Sequence, residues 1–456
     1  MNTNNFKILN LEDSVIDNLT SLGFNKMTQI QEKSLPLILK GSDVIAKAKT
    51  GSGKTVSFGL GVLNNLDESR FRIQSMILCP TRELASQVAD TLRKLARAKH
   101  NIKILTLTGG MPYKPQVHSL THQAHIIVGT PGRVLKHLKE ENFNPQEINT
   151  LVFDEADRML DMGFTEDIEA IVEYLPKLRQ TLLFSATYPD TIDELSHKFL
   201  SNPISVEAES THNDNTITQE FYQVESSMKN GMLVDVLSGE NKTVIIFCNT
   251  KIQCNDLADY LENNYDVDPL VLHSDLEQKD RDETLIMFSN KSFPILIATD
   301  VASRGLDIDD VDLVINCDLP HDFEVYTHRI GRTARAGKSG KAVSFIDDFY
   351  YLDELNEFLN KDFKVLETPT LESKTITLGS EFSTLYINGG KRDKLRAGDI
   401  LGALTAGIGL KKEQIGKINI LHNCAYVAIK KDVYEKALDG LSSRRIKNKF
   451  FRVYSR

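Results

Sequence analysis

The sequence is poor in cysteine, with five in 456 residues. Their number is odd, they are scattered along the chain, and no two form a CxxC pair. This distribution argues against a disulfide framework and against a cysteine-rich zinc site. Because several of them stand in apolar runs such as 243–248, we predict buried, reduced thiols.

Long apolar runs are also missing. No segment reaches the about 18 consecutive apolar residues that a membrane span needs, and the N-terminus, Met-Asn-Thr-Asn-Asn, lacks the basic and apolar segments of a secretory signal. No heptad repeat indicates a coiled coil. From these absences we expect a cytoplasmic protein that acts as a monomer and has no membrane partner.

Positive charge is scarce over most of the chain and abundant near its end. Residues 374–456 hold 17 Lys and Arg against 7 Asp and Glu, whereas the other 373 residues hold 37 against 56. An acidic body with a basic C-terminal segment favours an anionic partner that this segment recruits. The alternative is a basic domain that only improves solubility.

Short runs rich in Val, Ile and Leu alternate with helical patterns along residues 1–205 and again after residue 216. This rhythm predicts βαβ units and parallel sheets, whose ligands bind beyond the carboxyl ends of the strands. The polar segment 207–216 between the two stretches is typical of a linker. Predicted strands are 44–46, 75–79, 103–107, 125–128, 150–153 and 180–184, then 243–248, 270–272, 295–298, 313–316 and 342–345.

A glycine-rich turn follows the first predicted strand, where residues 48–55 are Ala-Lys-Thr-Gly-Ser-Gly-Lys-Thr. Glycines let backbone N–H groups turn toward phosphate oxygens, and the following helix N-terminus favours anions. In such a loop Lys54 reaches the β- and γ-phosphates and Thr55 holds Mg²⁺. The strand before the turn and the helix after it favour this function over a plain surface turn. The sequence thus predicts an ATP and Mg²⁺ site formed by Thr50, Gly51, Ser52, Gly53, Lys54 and Thr55.

Acidic residues follow the fifth predicted strand, in the order Asp154-Glu155-Ala156-Asp157. A carboxylate at this place holds Mg²⁺ in phosphate-loop NTPases, so we assign Asp154 to the metal. Glu155 could then orient or deprotonate the attacking water. An acidic surface turn is the alternative for these four residues taken alone. The small hydroxyls of Ser185 and Thr187, after the sixth strand, could link the ATP site to another surface.

The second stretch has no phosphate loop but carries a basic run at 328–335. Its Arg332 and Arg335 are three apart and point the same way on a helix. A domain without a phosphate loop could supply them as arginine fingers to the γ-phosphate. Surface salt bridging is the alternative.

Together these motifs resemble those of the DEAD-box RNA helicases, in the same order, over residues 6 to about 345. Residues 23–31 resemble the Q motif, with Met27 in place of the usual proline. Motifs I, II and III are resembled by the phosphate loop, by residues 154–157 and by residues 185–187. Motif IV is resembled by residues 244–250 and the QxxR element by 278–281. Motif V is resembled by residues 298–307 and motif VI by 328–337. The resemblance implies two RecA-like lobes that close over ATP and RNA, with RNA-stimulated hydrolysis and non-processive strand separation.

The resemblance also implies roles for single residues. Gln31 would contact the adenine edge, Phe24 would pack near the base, and Asp307 would reach the ribose. Arg332 and Arg335 would act on the phosphates, and Lys54, Asp154 and Glu155 would complete the catalytic set. Coupling would involve Asp157, Ser185, Thr187 and His328. The implied RNA contacts are Pro80, Thr81, Arg82, Gly109, Gly110, Thr130, Pro131, Gly132, Arg133, Arg281 and Thr299.

The basic C-terminal segment has a βαββαβ pattern, with strands at 384–390, 416–421, 425–430 and 449–454 and helices at 396–406 and 433–441. This order is that of a ferredoxin-like, RRM-type α+β domain. The aromatic RNP1 signature is missing, so we expect basic loops and helix ends to hold RNA. The predicted domains are RecA-like at 1–206 and 217–366 and RRM-like at 374–456.

This segment is similar to the C-terminal domain of the DbpA subfamily, especially at 394–404 and 415–418. The similarity implies that the protein binds a hairpin of large-subunit (23S) ribosomal RNA on pre-50S particles. We name as candidate contacts Lys394, Arg396, Lys417, Tyr426 and Lys447.

Two other functions remain as alternatives at this point. One is a phosphate-loop motor that acts on DNA, which the Q motif and the Asp-Glu-Ala-Asp sequence disfavour. The other is an RNA clamp that binds ATP without turnover, which the presence of Lys54, Glu155, Arg332 and Arg335 disfavours. RNA-stimulated phosphate release distinguishes the helicase from both.

Overall fold

A computed structural model of the chain describes residues 4–48, 51–187, 190–208, 217–239, 243–300, 311–334, 339–347, 349–367 and 375–456. These residues form two compact units, the first reaching Ala208 and the second starting at Ile217. None of the helices in the described part of the chain has the length and apolarity that a membrane crossing requires. As predicted, the five cysteines are free, and four of them are buried.

The first unit contains a seven-stranded sheet in which all neighbours are parallel, in the order β3-β4-β2-β5-β6-β1-β7. Apolar side chains alternate between two cores, since Val44 and Ala46 face one cluster and Ile45 the other. Both faces are therefore covered, as in other parallel sheets. The strands are β1 Val44–Lys47, β2 Ser75–Leu78, β3 Ile104–Leu107, β4 Ile126–Gly129, β5 Thr150–Asp154, β6 Gln180–Ser185 and β7 Ile204–Glu207.

Nine described α-helices surround this sheet. Polar residues begin several of them, as where the Thr81 side chain accepts a hydrogen bond from the Leu84 N–H. The helices are α1 Asp13–Ser21, α2 Gln29–Ile38, α3 Lys54–Asn64, α4 Arg82–Leu95, α5 Tyr113–Thr121, α6 Pro131–Lys139, α7 Ala156–Asp161, α8 Thr165–Tyr174 and α9 Asp190–Phe199.

The second unit begins with another parallel seven-stranded sheet, in the order β10-β11-β9-β12-β13-β8-β14. Its strands are β8 Ile217–Gln223, β9 Val244–Phe247, β10 Leu270–Leu272, β11 Ile295–Ala298, β12 Leu313–Asn316, β13 Gly340–Ile346 and β14 Val365–Leu366. The described helices around it are α10 Lys229–Ser238, α11 Lys251–Tyr265, α12 Gln278–Ser289, α13 Phe323–Ile330 and α14 Phe349–Leu359.

A small antiparallel sheet completes the second unit, in the order β16-β17-β15-β18. With its two α-helices it confirms the predicted βαββαβ order, and we call it the C-terminal domain. One face of the sheet packs on these helices through residues such as Leu385, Val427 and Leu441. Its elements are β15 Phe382–Ile387, α15 Ala397–Gly402, β16 Ile415–Ile420, β17 Ala425–Lys430, α16 Tyr434–Ser443 and β18 Val453–Ser455.

The other face of this small sheet packs on the end of α12. The Thr384 side chain is fully buried there, and its Oγ1 accepts a hydrogen bond of 3.2 Å from Asn290 Nδ2 and lies 2.7 Å from Ser292 Oγ. The Arg456 guanidinium lies 2.7 Å from a carboxylate oxygen of Glu283 on α12. The C-terminal domain is thus docked on the helix that carries Arg281.

Candidate functional site

Thr28 and Gln31, at the start of α2, form hydrogen bonds to the phosphate loop of the first unit. Gln31 Nε2 donates to the Gly53 carbonyl at 3.1 Å, and Thr28 Oγ1 donates to the Ser52 carbonyl at 2.7 Å. Gly53 has φ 94°, and a Cβ built on it would collide with the Gln31 amide. Only glycine therefore fits between the Q motif and the first turn of α3. Gly51 also has a positive φ, and Thr50 lies outside the described residues.

Gln31 is buried, and its amide oxygen accepts from the Thr28 N–H at 3.0 Å. Both ends of the amide thus form a hydrogen bond within the protein, and each end has a second donor or acceptor position beyond that bond. Phe24 is half-buried against the first apolar core. The adenine-binding roles of Gln31 and Phe24 stay predictions.

The Lys54 ammonium is buried and has no hydrogen-bond partner, and the Ser52 hydroxyl is in the same condition. A buried cation without a partner is costly, so an anionic group that reaches it relieves that cost. The first turn of α3, which starts at Lys54, adds the N-terminal dipole of a helix. This arrangement fits the phosphates of a nucleoside triphosphate.

Asp154 ends β5 and is almost fully buried. Burial raises the pKa of its carboxyl to about 7, although the nearby positive charge of Lys54 opposes the shift. Asp154 and the hydroxyl of Thr55, in the first turn of α3, offer the oxygen ligands that Mg²⁺ prefers. These residues therefore fit the metal that the sequence predicts.

Glu155 has a left-handed backbone, with φ 55° and ψ 55°, at the start of α7. This conformation is unfavourable for a residue with a side chain and is typical of functional sites. Its carboxylate lies 3.1 Å from the Arg158 guanidinium, and both side chains are about 5% exposed. The fold thus fixes a shielded carboxylate beside Asp154, the predicted metal ligand.

Asp157 connects the acidic motif to the Ser-Ala-Thr motif. Its Oδ2 accepts hydrogen bonds from the Ala186 N–H at 3.1 Å, the Thr187 N–H at 3.0 Å and Thr187 Oγ1 at 3.0 Å, while Ser185 Oγ accepts from the Asp157 N–H. Burial alone would raise the pKa of Asp157, but Lys54 and the hydrogen bonds from Thr187 hold the pKa below its usual value. The predicted coupling residues of the first unit are therefore in contact.

Three predicted RNA motifs meet at one edge of the first sheet, because they follow the adjacent parallel strands β2, β4 and β3. The Arg82 guanidinium packs on Gly109 and Gly110, and a side chain at Gly110, whose φ is 69°, would overlap it. Arg133 Nη1 donates to the Met111 carbonyl at 3.0 Å. The other predicted RNA contacts at this edge are Pro80, Thr81, Thr130, Pro131 and Gly132.

His137 lies beneath this edge on α6. Gln116 Oε1 accepts from Arg133 Nη1 and lies 3.1 Å from His137 Nε2, so we assign the ring proton to Nε2. Nδ1 is buried without a partner, and burial, helped by the charge of Arg133, lowers the pKa of His137 to about 4. The neutral imidazole is therefore the form that the fold accommodates.

Acidification is expected to destabilise the first unit through His137. An unfolded histidine binds a proton below its pKa of about 6.5, whereas the folded one stays neutral down to about pH 4. The free energy of unfolding of the first unit is therefore highest above pH 6.5 as far as His137 is concerned. It falls as the pH drops, by about 1 kcal/mol at pH 5.5. Urea unfolding at pH 7.5 and 5.5, followed by hydrogen exchange in first-unit peptides, measures it. The His137→Gln variant should lose that part of the pH dependence, and equal pH dependence in both proteins would contradict the assignment.

Arg329 joins three motifs of the second unit. It is 2% exposed, and its Nε and Nη2 donate to the two carboxylate oxygens of Asp300 at 2.6 and 2.7 Å. Its Nη2 also donates to Asn249 Oδ1 and its Nη1 to Asn316 Oδ1. Arg329 cannot be singled out from sequence, because one arginine of a basic run carries no sign of burial. It holds together the chain segments that follow β9, β11 and β12.

The remaining predicted residues of the second unit are placed as follows. Arg332 is buried after α13, His328 lies in the last turn of α13, Arg281 is on α12, and Thr299 follows β11. Asp307 and Arg335 lie outside the described residues. Their functional roles stay predictions.

The C-terminal domain brings together three of its five predicted RNA contacts. These three are Lys394, Arg396 and Lys447. Lys447 Nζ donates to the Lys394 carbonyl at 2.8 Å and lies 3.2 Å from the Asp399 carboxylate. The same carboxylate accepts a hydrogen bond from the Arg396 N–H. Lys417 is exposed on β16, at the opposite edge of the sheet from β18.

The structure does not support Tyr426 as an RNA contact. Its side chain is 1% exposed, because the sheet face that carries Tyr426 and Tyr386 is the face docked on α12. The rings of these two tyrosines lie 5.4 Å apart. The sequence indicates that Tyr426 lies on a strand of the sheet, but it does not show that α12 covers this face.

Three protein-family models match successive parts of the chain. A DEAD/DEAH box helicase model matches residues 28–195, a helicase conserved C-terminal domain model matches 228–337, and a DbpA RNA binding domain model matches 384–454. The first match contains the phosphate loop, and the third contains Lys394, Arg396 and Lys447.

Two similar proteins are ATP-dependent RNA helicases DbpA. The Escherichia coli protein is 48% identical over 98% of each chain, and the Bacillus subtilis protein is 37% identical over 98% of each chain. Among solved structures, Saccharomyces cerevisiae Dbp5 bound to RNA and ADP BeF3 matches with a TM-score of 0.72 and 30% identity, over 79% of this chain and 95% of that one.

Proposed function

The chain belongs to the DEAD-box ATP-dependent RNA helicases, in the DbpA subfamily, and we propose that it remodels 23S ribosomal RNA during assembly of the 50S subunit. The observation that carries the proposal is the basic C-terminal domain docked on α12. Because this domain adjoins the helix of Arg281, RNA held by it lies near the helicase part of the second unit. We place this activity in the cytoplasm and attribute it to a monomer.

The first unit supplies the nucleotide-binding groups of the proposed mechanism. Lys54, whose ammonium has no hydrogen-bond partner in the protein, binds the β- and γ-phosphates of ATP. Asp154 and Thr55 would hold Mg²⁺, which when bound neutralises charge that develops on the phosphates. Glu155 orients the attacking water and accepts its proton.

RNA stimulates hydrolysis because it joins groups from both units. Arg82 and Arg133 bind the RNA backbone on the first unit, and Arg281 and Thr299 bind it on the second. In our proposal Arg332 and Arg335 then stabilise the charge on the transferred phosphoryl group. The hydrogen bonds between Asp157 and Thr187 connect the metal-binding motif to the region that follows β6. RNA and ATP should therefore each increase the affinity for the other.

Steady-state ATP hydrolysis tests this function. We expect low turnover without RNA, partial stimulation by a generic single-stranded RNA and strong stimulation by large-subunit ribosomal RNA, at equal nucleotide concentration and fixed salt. Single-stranded DNA of equal length should not stimulate turnover. Equal stimulation by every RNA would agree with a helicase activity but would refute the proposed preference for ribosomal RNA.

Removing residues 374–456 should abolish the preference for ribosomal RNA and leave hydrolysis without RNA close to that of the full chain. The reason is that the catalytic groups lie in the other domains, whereas the deleted segment carries the excess positive charge. The deletion also uncovers Asn290 and Ser292, so the pair Asn290→Ser and Ser292→Ala in the full chain serves as a control for that surface. A preference that survives the deletion would contradict the proposal.

A further inference from the structure

Most of the aromatic face of the C-terminal sheet is covered, since Tyr426 is buried and Tyr386 is half-buried. Domains of this fold often stack unpaired bases on sheet aromatics, and Tyr386, Tyr426 and Tyr454 lie side by side here. The Arg456 guanidinium covers the Tyr386 ring at 5.5 Å while it pairs with Glu283 of α12. Of these three residues only Tyr454 is exposed, at 46%, so an exposed aromatic outside the sheet is a further candidate for stacking.

Phe450 is such a residue, in the loop between α16 and β18. Its side chain is 62% exposed, and the Arg445 guanidinium lies 5.2 Å from the centre of its ring. Single exposed apolar residues are common on protein surfaces, but this one has a cation placed against its ring. A ring supported by a cation and still largely open to solvent is a suitable platform for a planar base.

The loop around Phe450 is strongly basic. Residues 444–452 contain five Lys and Arg and no Asp or Glu. Positive charge at this density attracts a phosphate backbone whatever its sequence. The ring thus lies where electrostatics would bring RNA.

The loop is also held in place. Backbone hydrogen bonds of 2.8 and 3.0 Å join Ile446 and Lys449, and Lys447 and Asn448 have φ of 51° and 66°. Lys449 pairs with Asp393 at 3.8 Å, and Lys447 pairs with Asp399. These contacts fix the loop against the segment that contains Lys394 and Arg396, so that Phe450 has a defined position beside three predicted RNA contacts.

We propose that Phe450, supported by Arg445, stacks an unpaired RNA base while Lys447 and Lys449 contact the neighbouring phosphates. This assignment rests on the proposed function, because it assumes that the C-terminal domain binds RNA. The ring takes a role that the buried ring of Tyr426 cannot fill.

Binding of RNA by the full chain tests the proposal. The probes are a large-subunit ribosomal RNA fragment and a uridine-only single strand, titrated at four salt concentrations. Phe450→Leu should weaken binding about ten-fold and leave the slope of log K against log salt unchanged, since stacking releases no counterions. Phe450→Tyr should bind within about two-fold of the wild type, because it keeps the aromatic face. Lys449→Ala should instead reduce the slope by about 1.

Photocrosslinking gives an independent reading of the same contact. In both probes uridine is replaced by 5-iodouridine, which crosslinks to aromatic side chains it stacks on, and the crosslinked peptide is identified by mass spectrometry. We expect crosslinks at Phe450 in the wild type and in Phe450→Tyr, and none at this position in Phe450→Leu.

The outcomes separate the two proposals. If Phe450→Leu binds every RNA as tightly as the wild type and crosslinks map elsewhere, the role of Phe450 is refuted and the proposed function stands. If the wild type binds both probes with equal affinity but Phe450→Leu binds both more weakly, the proposed preference for ribosomal RNA is refuted. The stacking role of Phe450 then stands. Equal thermal unfolding midpoints show that the variants are folded.

Discussion

Glu155→Gln is expected to lower kcat for RNA-stimulated ATP hydrolysis by about 10²–10⁴-fold, the usual contribution of a general base. Glutamine keeps the size and a hydrogen-bonding oxygen near Arg158 but cannot accept the proton of the attacking water. Binding of ATP and RNA should persist, since the contacts of Lys54 and Asp154 are unchanged. The chain should then stay on RNA in the ATP-bound state, so that RNA dissociates more slowly than from the wild type.

Phosphate release under steady-state and single-turnover conditions measures the first effect, and competition with unlabelled RNA measures the second. Glu169→Gln is the matched control, because Glu169 forms an exposed ion pair with Lys198 in the same unit. Its turnover should equal that of the wild type. Unchanged turnover in Glu155→Gln would remove Glu155 from the mechanism.

Arg329→Leu is expected to lower the free energy of unfolding of the second unit by about 3–5 kcal/mol, the cost of breaking a buried ion pair from one side. The substitution leaves the carboxylate of Asp300 without the two hydrogen bonds that Arg329 donates. It also removes the hydrogen bonds that Arg329 donates to Asn249 Oδ1 and Asn316 Oδ1. Urea unfolding followed by hydrogen exchange in second-unit peptides measures the loss.

Lys251→Leu provides the contrast within the same unit. Lys251 pairs with Asp275 at 2.6 Å, but both side chains are about half exposed. An exposed pair contributes little, so this variant should lose at most about 1 kcal/mol. Equal losses in the two variants would mean that burial is not what makes the Arg329 interaction strong.

The sequence predicted the buried strands well and the polar ones poorly. Strands such as β9, β10, β11 and β12 were placed within a residue or two, because apolar runs bounded by polar residues leave little choice. The strands β7, β8 and β14 were not predicted. β7 and β14 lie at sheet edges, where one side is open and the hydrophobic pattern is weak.

The candidate site could be predicted wherever a motif directly follows a strand. The carboxyl ends of parallel strands lie at one edge of the sheet. Lys54 therefore lies near Asp154, and Arg82 near Arg133, as expected. The left-handed backbone of Glu155 could not be predicted, because it depends on how β5 leads into α7. The place of Arg329 depends on three segments that are distant in sequence.

The docked tyrosine face limits how freely this chain can exchange parts with other helicases. A chimera that joins the C-terminal domain to another helicase core would expose Tyr426 and leave Thr384 without Asn290 and Ser292. Arg456 would also lack the carboxylate of Glu283. The recipient would therefore have to receive α12 and the residues after it together with the domain. The unit that can be transplanted is larger than the segment that binds RNA.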